Sequence, residues 1–265
     1  MNRRFLISAS AAATMFAFLI IAPTPAGAQG RGAAPRKPKP AVGAWWYKGD
    51  PPPAGLKHPD LTGVWEGGSI NDIAKEAAPG EQAILTPLGA ERFRTVDHAK
   101  DPNAKCLPPG PARMVARAHP TMIMQRDDVV AVMSESEHIF RLIYTDGRDH
   151  PPDAKEYPAW YGYSIGKWEG DTLVVDTISI NDRTWLDLAG HEHSDKLRLT
   201  ERYRLADPNT LEFLVTYDDP VFFVKPFTSK KVLKRQIGDY IFDHTCLENE
   251  KDLDVLVPTI GDEGR

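Results

Sequence analysis

Several residues in this 265-residue chain are of types that do chemistry, and their spacing says where to look. Glu201 lies in the run Leu197-Arg198-Leu199-Thr200-Glu201-Arg202-Tyr203-Arg204-Leu205, whose period of two sets it among Leu199 and Tyr203 on the apolar side. A carboxylate there must be paired, metal-bound or protonated. It is therefore a candidate catalytic acid or base, with His138 as a candidate neighbour, or else one half of a core ion pair with Arg141 or another inward arginine. His191-Glu192-His193, with Asp182, Asp187 and Asp195 nearby, offers imidazole and carboxylate suited to a divalent metal such as zinc, iron or manganese. Both histidines reach one ion only if the backbone is extended, and the same residues can equally form a polar surface loop. His150 is a further candidate for the same place.

Asn181-Asp182-Arg183-Thr184-Trp185 combines an amide, an acid, a guanidinium and an indole, a set able to orient a sugar-like or aromatic ligand, or to bond to itself. The candidate ligand contacts are Asp182, Arg183 and Trp185 together with Tyr163, Tyr217 and Arg141. Gly162-Tyr163-Ser164-Ile165-Gly166 fits the G-x-S-x-G pattern of serine hydrolases, which requires a strand-to-helix turn at the serine. Here a turn and another strand follow, so Ser164 reads as an ordinary strand residue. No HExxH, CxxC or glycine-rich phosphate loop is present.

The elements that must position these groups are strands. From Thr121 onward β-branched and aromatic residues alternate with turn chemistry at Asp127-Asp128, Asp146-Gly147, Glu169-Gly170-Asp171, Asp207-Pro208-Asn209 and Gly238-Asp239. The pattern predicts strands over 61–67, 121–126, 129–145, 161–168, 172–180, 197–206, 210–217, 228–236 and 240–246, with 129–145 one bent strand bulged near Ser134 to Glu137. Thr86-Pro87 predicts one short helix running to about Ala99. Strands joined by short turns without crossover helices imply an all-β fold, an antiparallel meander closed into a lipocalin-like barrel of about 8–10 strands. In such a meander the turns at 127–128, 169–171, 207–209 and 238–239 share one end. The long connections at 146–160, 181–196 and 218–227 share the other, forming a mouth.

Arg3-Arg4, the apolar run from Phe5 to Ala22 and Ala26-Gly27-Ala28 have the construction of a secretory signal over residues 1–28, and Arg3-Arg4-Phe5-Leu6 resembles a twin-arginine leader. Residues 29–55, rich in proline and glycine, read as a disordered linker interrupted by Trp45-Trp46-Tyr47. The roughly 190 residues of 56–247 make one domain, and 248–265 an acidic tail. The expected location is periplasmic or secreted, with no stable membrane insertion after cleavage. Removing a leader with two arginines and no acid takes the formal charge from −5 to −7, which disfavours nucleic acid as a partner. In an oxidising compartment the only cysteines, Cys106 and Cys246, are expected to form a disulfide, near the mouth on this topology.

Leu61-Thr62-Gly63-Val64-Trp65 resembles the G-x-W start of lipocalin-type barrels, carried by Gly63 and Trp65. The resemblance implies that Trp65 closes the barrel floor beside a basic residue from a late strand, a place Arg235 could fill. Cys106-Leu107-Pro108-Pro109-Gly110, Glu137-His138, Tyr144 to Arg148, Trp168 to Thr177, Asn181 to Asp187 and Thr200-Glu201-Arg202 together resemble an uncharacterised family of exported bacterial proteins, over most of 56–247. That resemblance implies no activity. The functional expectation is binding of a small, partly apolar organic molecule in the barrel cavity. The alternative is a periplasmic hydrolase or lyase using Glu201 and histidines, with or without a metal.

Overall fold

The computed structural model describes residues 55–136 and 139–246. The expectations for the signal peptide, the linker with Trp45-Trp46-Tyr47, His138 and the acidic tail lie outside these described residues. Within them the chain is all-β: nine strands close into a barrel, each pairing with the next and the last with the first. They are β1 (Gly63–Glu66), β2 (Thr121–Gln125), β3 (Val129–Ser134), β4 (Phe140–Tyr144), β5 (Tyr163–Glu169), β6 (Thr172–Ile178), β7 (Arg198–Asp207), β8 (Thr210–Asp218) and β9 (Phe227–Arg235). The period-two reading holds where it was clearest. On β7, Leu199, Glu201 and Tyr203 point inward and are buried, and on β8 Leu211, Phe213, Val215 and Tyr217 do the same.

The barrel is closed by the first strand meeting the last, with Trp65 opposite Arg235. Trp65 is fully buried and its indole N–H donates to the Leu61 carbonyl at 2.9 Å. The Arg235 guanidinium lies 4.3 Å from the Trp65 ring centroid and donates to the carbonyls of Pro208 and Thr62, so a cation covers the indole and ties the β7–β8 turn to the start of β1.

The expected single strand 129–145 is instead a hairpin, β3 and β4. Ser134 supplies the reversal: its hydroxyl accepts from the Ser136 N–H at 3.3 Å, and its own N–H donates across the turn to the Ile139 carbonyl at 2.9 Å. This extra reversal changes the direction of the next strand. β4 and β5 run parallel, paired through Ile143 with Ser164 and Tyr144 with Ile165, so the barrel is not a pure meander. Parallel neighbours require a crossover. Residues 145–162 leave the end of the tight turns, the lower rim, and climb outside the wall to the upper rim.

The expected gathering of connections is thereby corrected. The tight turns at 126–128, 170–171 and 208–209 share the lower rim, and connections 179–197 and 219–226 share the upper one, while 145–162 spans both. Predicted strand 240–246 is an irregular strap that starts where the Gln236 N–H bonds the Val64 carbonyl. It reaches Glu135 at the upper rim through the Phe242 N–H, and the Cys106–Cys246 disulfide anchors it there.

The upper rim is not open. Helix α1 (Pro87–Arg94) starts as expected, with the Thr86 hydroxyl accepting from the Gly89 N–H, but ends earlier. A second helix, α2 (Pro111–Ala116), was not expected, and all six of its residues are buried. Ile70, Ile73, Met114 and Val115 plug the barrel from above. Lys231, inward on β9, donates to the Val115 and Arg117 carbonyls and so caps the helix end. Below this plug, the space among Leu61, Ile123, Val130, Val132, Ile143, Leu173 and Tyr203 has no room for a water molecule.

Candidate functional site

Glu201, on β7, is fully buried and fully partnered. Arg141, inward on β4, donates from Nη1 to Oε1 at 2.9 Å and from Nη2 to Oε2, and the Tyr203 hydroxyl donates to Oε1 at 3.1 Å. The same guanidinium donates from Nε to Ser164 Oγ at 2.9 Å and from Nη2 to Thr177 Oγ1 at 2.7 Å, and those two hydroxyls lie 3.0 Å apart. Burial works against the Arg141 charge, but Glu201 outweighs it and holds the guanidinium above its usual range. Burial, reinforced by Glu201, pushes the Tyr203 phenol well up. Of the alternatives for Glu201, the geometry is that of the ion pair with Arg141. Ser164 is a mid-strand residue of this network. The flanking glycines have steric reasons: at Gly162 φ is +59° and a Cβ would meet the Ile178 carbonyl at 2.4 Å, and at Gly166 it would meet Ile143 and Thr145 at 2.9 Å.

The upper-rim residues form a clasp. Asp187 is fully buried: Oδ1 accepts from the N–H groups of Gly190 and His191, and Oδ2 from the Ile73 N–H at 2.8 Å and His191 Nδ1 at 2.6 Å. The His191 ring stacks on Phe93 of α1, centroids 4.1 Å apart. Asp72 brings a third candidate metal ligand, the three ligating atoms lying within 4.8 Å of one another. Each Asp187 oxygen already accepts two hydrogen bonds, however, and Asp72 is engaged with Lys75 and the Ala74 N–H. His193 is not in that group. Its Nδ1 faces the Ser194 carbonyl at 3.0 Å and its Nε2 the Thr184 hydroxyl at 2.7 Å, so both nitrogens are occupied, and burial lowers its pKa. His191 and His193 thus have separate partners among the described residues.

The expected ligand contacts scatter. Asp182 and Arg183 are exposed on the rim, Trp185 is buried edge-on to His98, and Tyr217 is in the core stacked on Phe227. Tyr163 and Arg141 do come together. They line a crevice of about 270 Å³ at the β4–β5 seam, with Phe140, Leu142, Tyr144, Tyr161, Ile165 and Pro151 as its apolar wall and Ser164 beside Arg141 at its base. The seam opens because only two residue pairs join β4 to β5, so Phe140, Arg141 and Leu142 have no strand partner on that side. Four of the five Arg141 N–H groups are engaged by the bonds above, and the Tyr203 hydroxyl is a further hydrogen-bonding neighbour of the guanidinium.

The crossover arches away from the wall and leaves two further clefts. One, about 630 Å³, lies against the outer face of β5 and β6, where His58 stacks on Trp168 with centroids 4.6 Å apart. The other, about 580 Å³, lies between the crossover and the upper rim, lined by His150, Lys155, Asp176, Ser179, Lys196 and Arg198 among others. In it Arg198 grips Asp176 with two bonds of 2.6 and 2.9 Å, and His150 Nε2 donates to the same carboxylate at 2.8 Å. Burial raises the Asp176 carboxyl, but these donors outweigh it and hold it below the ordinary range. His150 Nδ1 has no hydrogen-bond partner among the described residues. Sequence reasoning missed this pair and the aromatic seam, because both depend on the crossover.

No protein-family model matches this sequence, and no curated protein matches it. What the chain does has to be argued from the site itself.

Proposed function

We propose that this chain is an exported, lipocalin-like protein that binds a small, partly apolar organic molecule, and that the ligand sits at the β4–β5 seam rather than inside the barrel. The space below α2, among Leu61, Ile123, Val130, Val132, Ile143, Leu173 and Tyr203, has no room for a ligand, which favours the wall. One observation carries the reading: a crevice walled by aromatic and aliphatic side chains has Arg141 and Ser164 in its lining. That is an apolar surface for a ring or short chain with a cation and a hydroxyl residue beside it for a carbonyl or carboxylate, the usual composition of a small-molecule site. At about 270 Å³ it suits a single-ring ligand.

The experiment is a thermal-shift screen of small aromatic and alicyclic carbonyl compounds and carboxylates, guided by mass spectrometry of molecules that co-purify with the protein from its native envelope. The Leu142→Glu/Tyr163→Ala double variant should weaken binding at least tenfold and abolish the ligand-induced shift. Both positions are partly exposed, so the unliganded protein should stay folded. An unchanged ligand shift in the double variant overturns the seam assignment.

A further inference from the structure

The outer surface of the barrel has two unlike halves. On β6 to β9 it carries Asp176, Arg198, Arg202, Arg204, Glu212 and Lys230, cross-linked by ion pairs. On β2 to β4 no outward strand position is charged. Cross-strand register arranges this apolar half in two rows, Met122–Met133–Phe140 and Met124–Ala131–Leu142. Met124 is 52% exposed and Phe140 65% exposed, in a contiguous patch. A soluble chain does not leave such a patch uncovered without a use for it.

We infer that this face is the docking surface for the chain's own Trp45-Trp46-Tyr47. The reason is where the N-terminal segment arrives. The Lys57 N–H donates to Asp127 Oδ1 at 3.2 Å, and the Leu61 N–H to Gln125 Oε1 at 2.9 Å, so residues 57–61 run along the lower border of this patch, at the β2–β3 turn. Eight residue steps separate Tyr47 from Gly55, and they include Pro51-Pro52-Pro53. At about 3.1 Å per residue for a proline-rich spacer, that is a reach of roughly 25 Å. Strands of five or six residues are about 17–20 Å long, so the aromatic cluster can cover any part of the face. The chemistry matches, since aromatic rings pack favourably against methionine thioethers. The segment after Cys246 is a poorer occupant, because Glu248, Glu250, Asp252 and Asp254 would bring carboxylates onto an apolar surface. Phe140 and Leu142 also wall the seam crevice, but the readout used here is Met124, which does not line it, so failure of this inference is distinguishable from failure of the seam reading.

Methionine oxidation by dilute hydrogen peroxide, read residue by residue by mass spectrometry on the full chain, tests this. Met114 is 1% exposed and serves as the internal slow reference. Met124 should oxidise at least fivefold faster in a Trp45→Ser/Trp46→Ser/Tyr47→Ser variant than in the unaltered chain. Phe140→Lys, an exposed position that should leave the barrel intact, should speed Met124 oxidation in the same way. Less than a twofold change in both variants overturns the inference. So does protection that depends on protein concentration, which would mean a second copy covers the face, or protection that is lost on truncation after Cys246 instead.

Discussion

If Glu201 is a structural partner of Arg141, removing either charge should cost far more than removing both. Glu201→Gln keeps the shape of the side chain but leaves a guanidinium buried among the Ser164, Thr177 and Tyr203 hydroxyls. Breaking a buried pair in this way costs about 3–5 kcal/mol. In a domain of this size each kcal/mol is worth about 2–4 °C, so the melting temperature should fall by roughly 6–20 °C. Arg141→Met should cost a similar amount. In Arg141→Met/Glu201→Leu neither charge of the pair remains, and the Ser164 and Thr177 hydroxyls, 3.0 Å apart, can satisfy each other. The main residual penalty is the Tyr203 hydroxyl, about 1–3 kcal/mol for a buried group without its partner. The double variant should therefore be more stable than either single, with a coupling of several kcal/mol. Urea unfolding with the disulfide intact, at matched m-values, measures all three. Single losses below about 1 kcal/mol, or a double loss equal to the sum of the singles within about 0.5 kcal/mol, would refute the reasoning and return Glu201 to the candidates for proton transfer.

Two further outcomes follow from the described contacts. Burial lowers the Lys231 pKa to about 8, below its unfolded value of 10.5, so between those pH values the unfolded chain holds the extra proton and stability rises with pH, by up to about 3 kcal/mol. Past about pH 10 the trend should reverse, because burial holds the Tyr203 and Tyr217 phenols up while the unfolded ones ionise. Melting temperature against pH checks this, and a Lys231→Gln variant that still shows the rise would contradict it. The Cys106–Cys246 bridge spans 140 positions, and chain entropy alone sets its contribution at no more than about 5 kcal/mol. Replacing both cysteines by serine should lower the melting temperature by several degrees and speed amide exchange in 236–246, whereas a change under 1 °C with unaltered exchange would show that the strap holds without it.

Much of the fold was legible because its signals are local. Alternation in Leu199-Thr200-Glu201-Arg202-Tyr203 assigns each side chain to a face before any partner is known. Thr86-Pro87 marks the start of a helix through the bond the threonine makes three residues on. Two cysteines leave one intramolecular pairing, and the resemblance of Gly63 and Trp65 to a lipocalin-type start implied a basic partner for the indole, a place the structure gives to Arg235. The α2 plug was also written locally, in Pro111 before Ala112-Arg113-Met114-Val115-Ala116, but six residues are too short a window for periodicity to separate helix from strand.

What the amino-acid sequence determined by itself was an all-β barrel with one bridge and an inward carboxylate on β7. Tertiary structure decided what that carboxylate meets, where His191 and His193 point, and which wall opens. The reason is range. Glu201 meets Arg141 across 60 positions, a partner that strand parity offered only as one alternative among inward arginines and catalytic roles, and Asp187 meets Ile73 across 114, which no local pattern encodes. A single unread reversal at Ser134 turned the next strand pair parallel, and the crossover this demands made both the aromatic seam and the His150–Asp176 cleft.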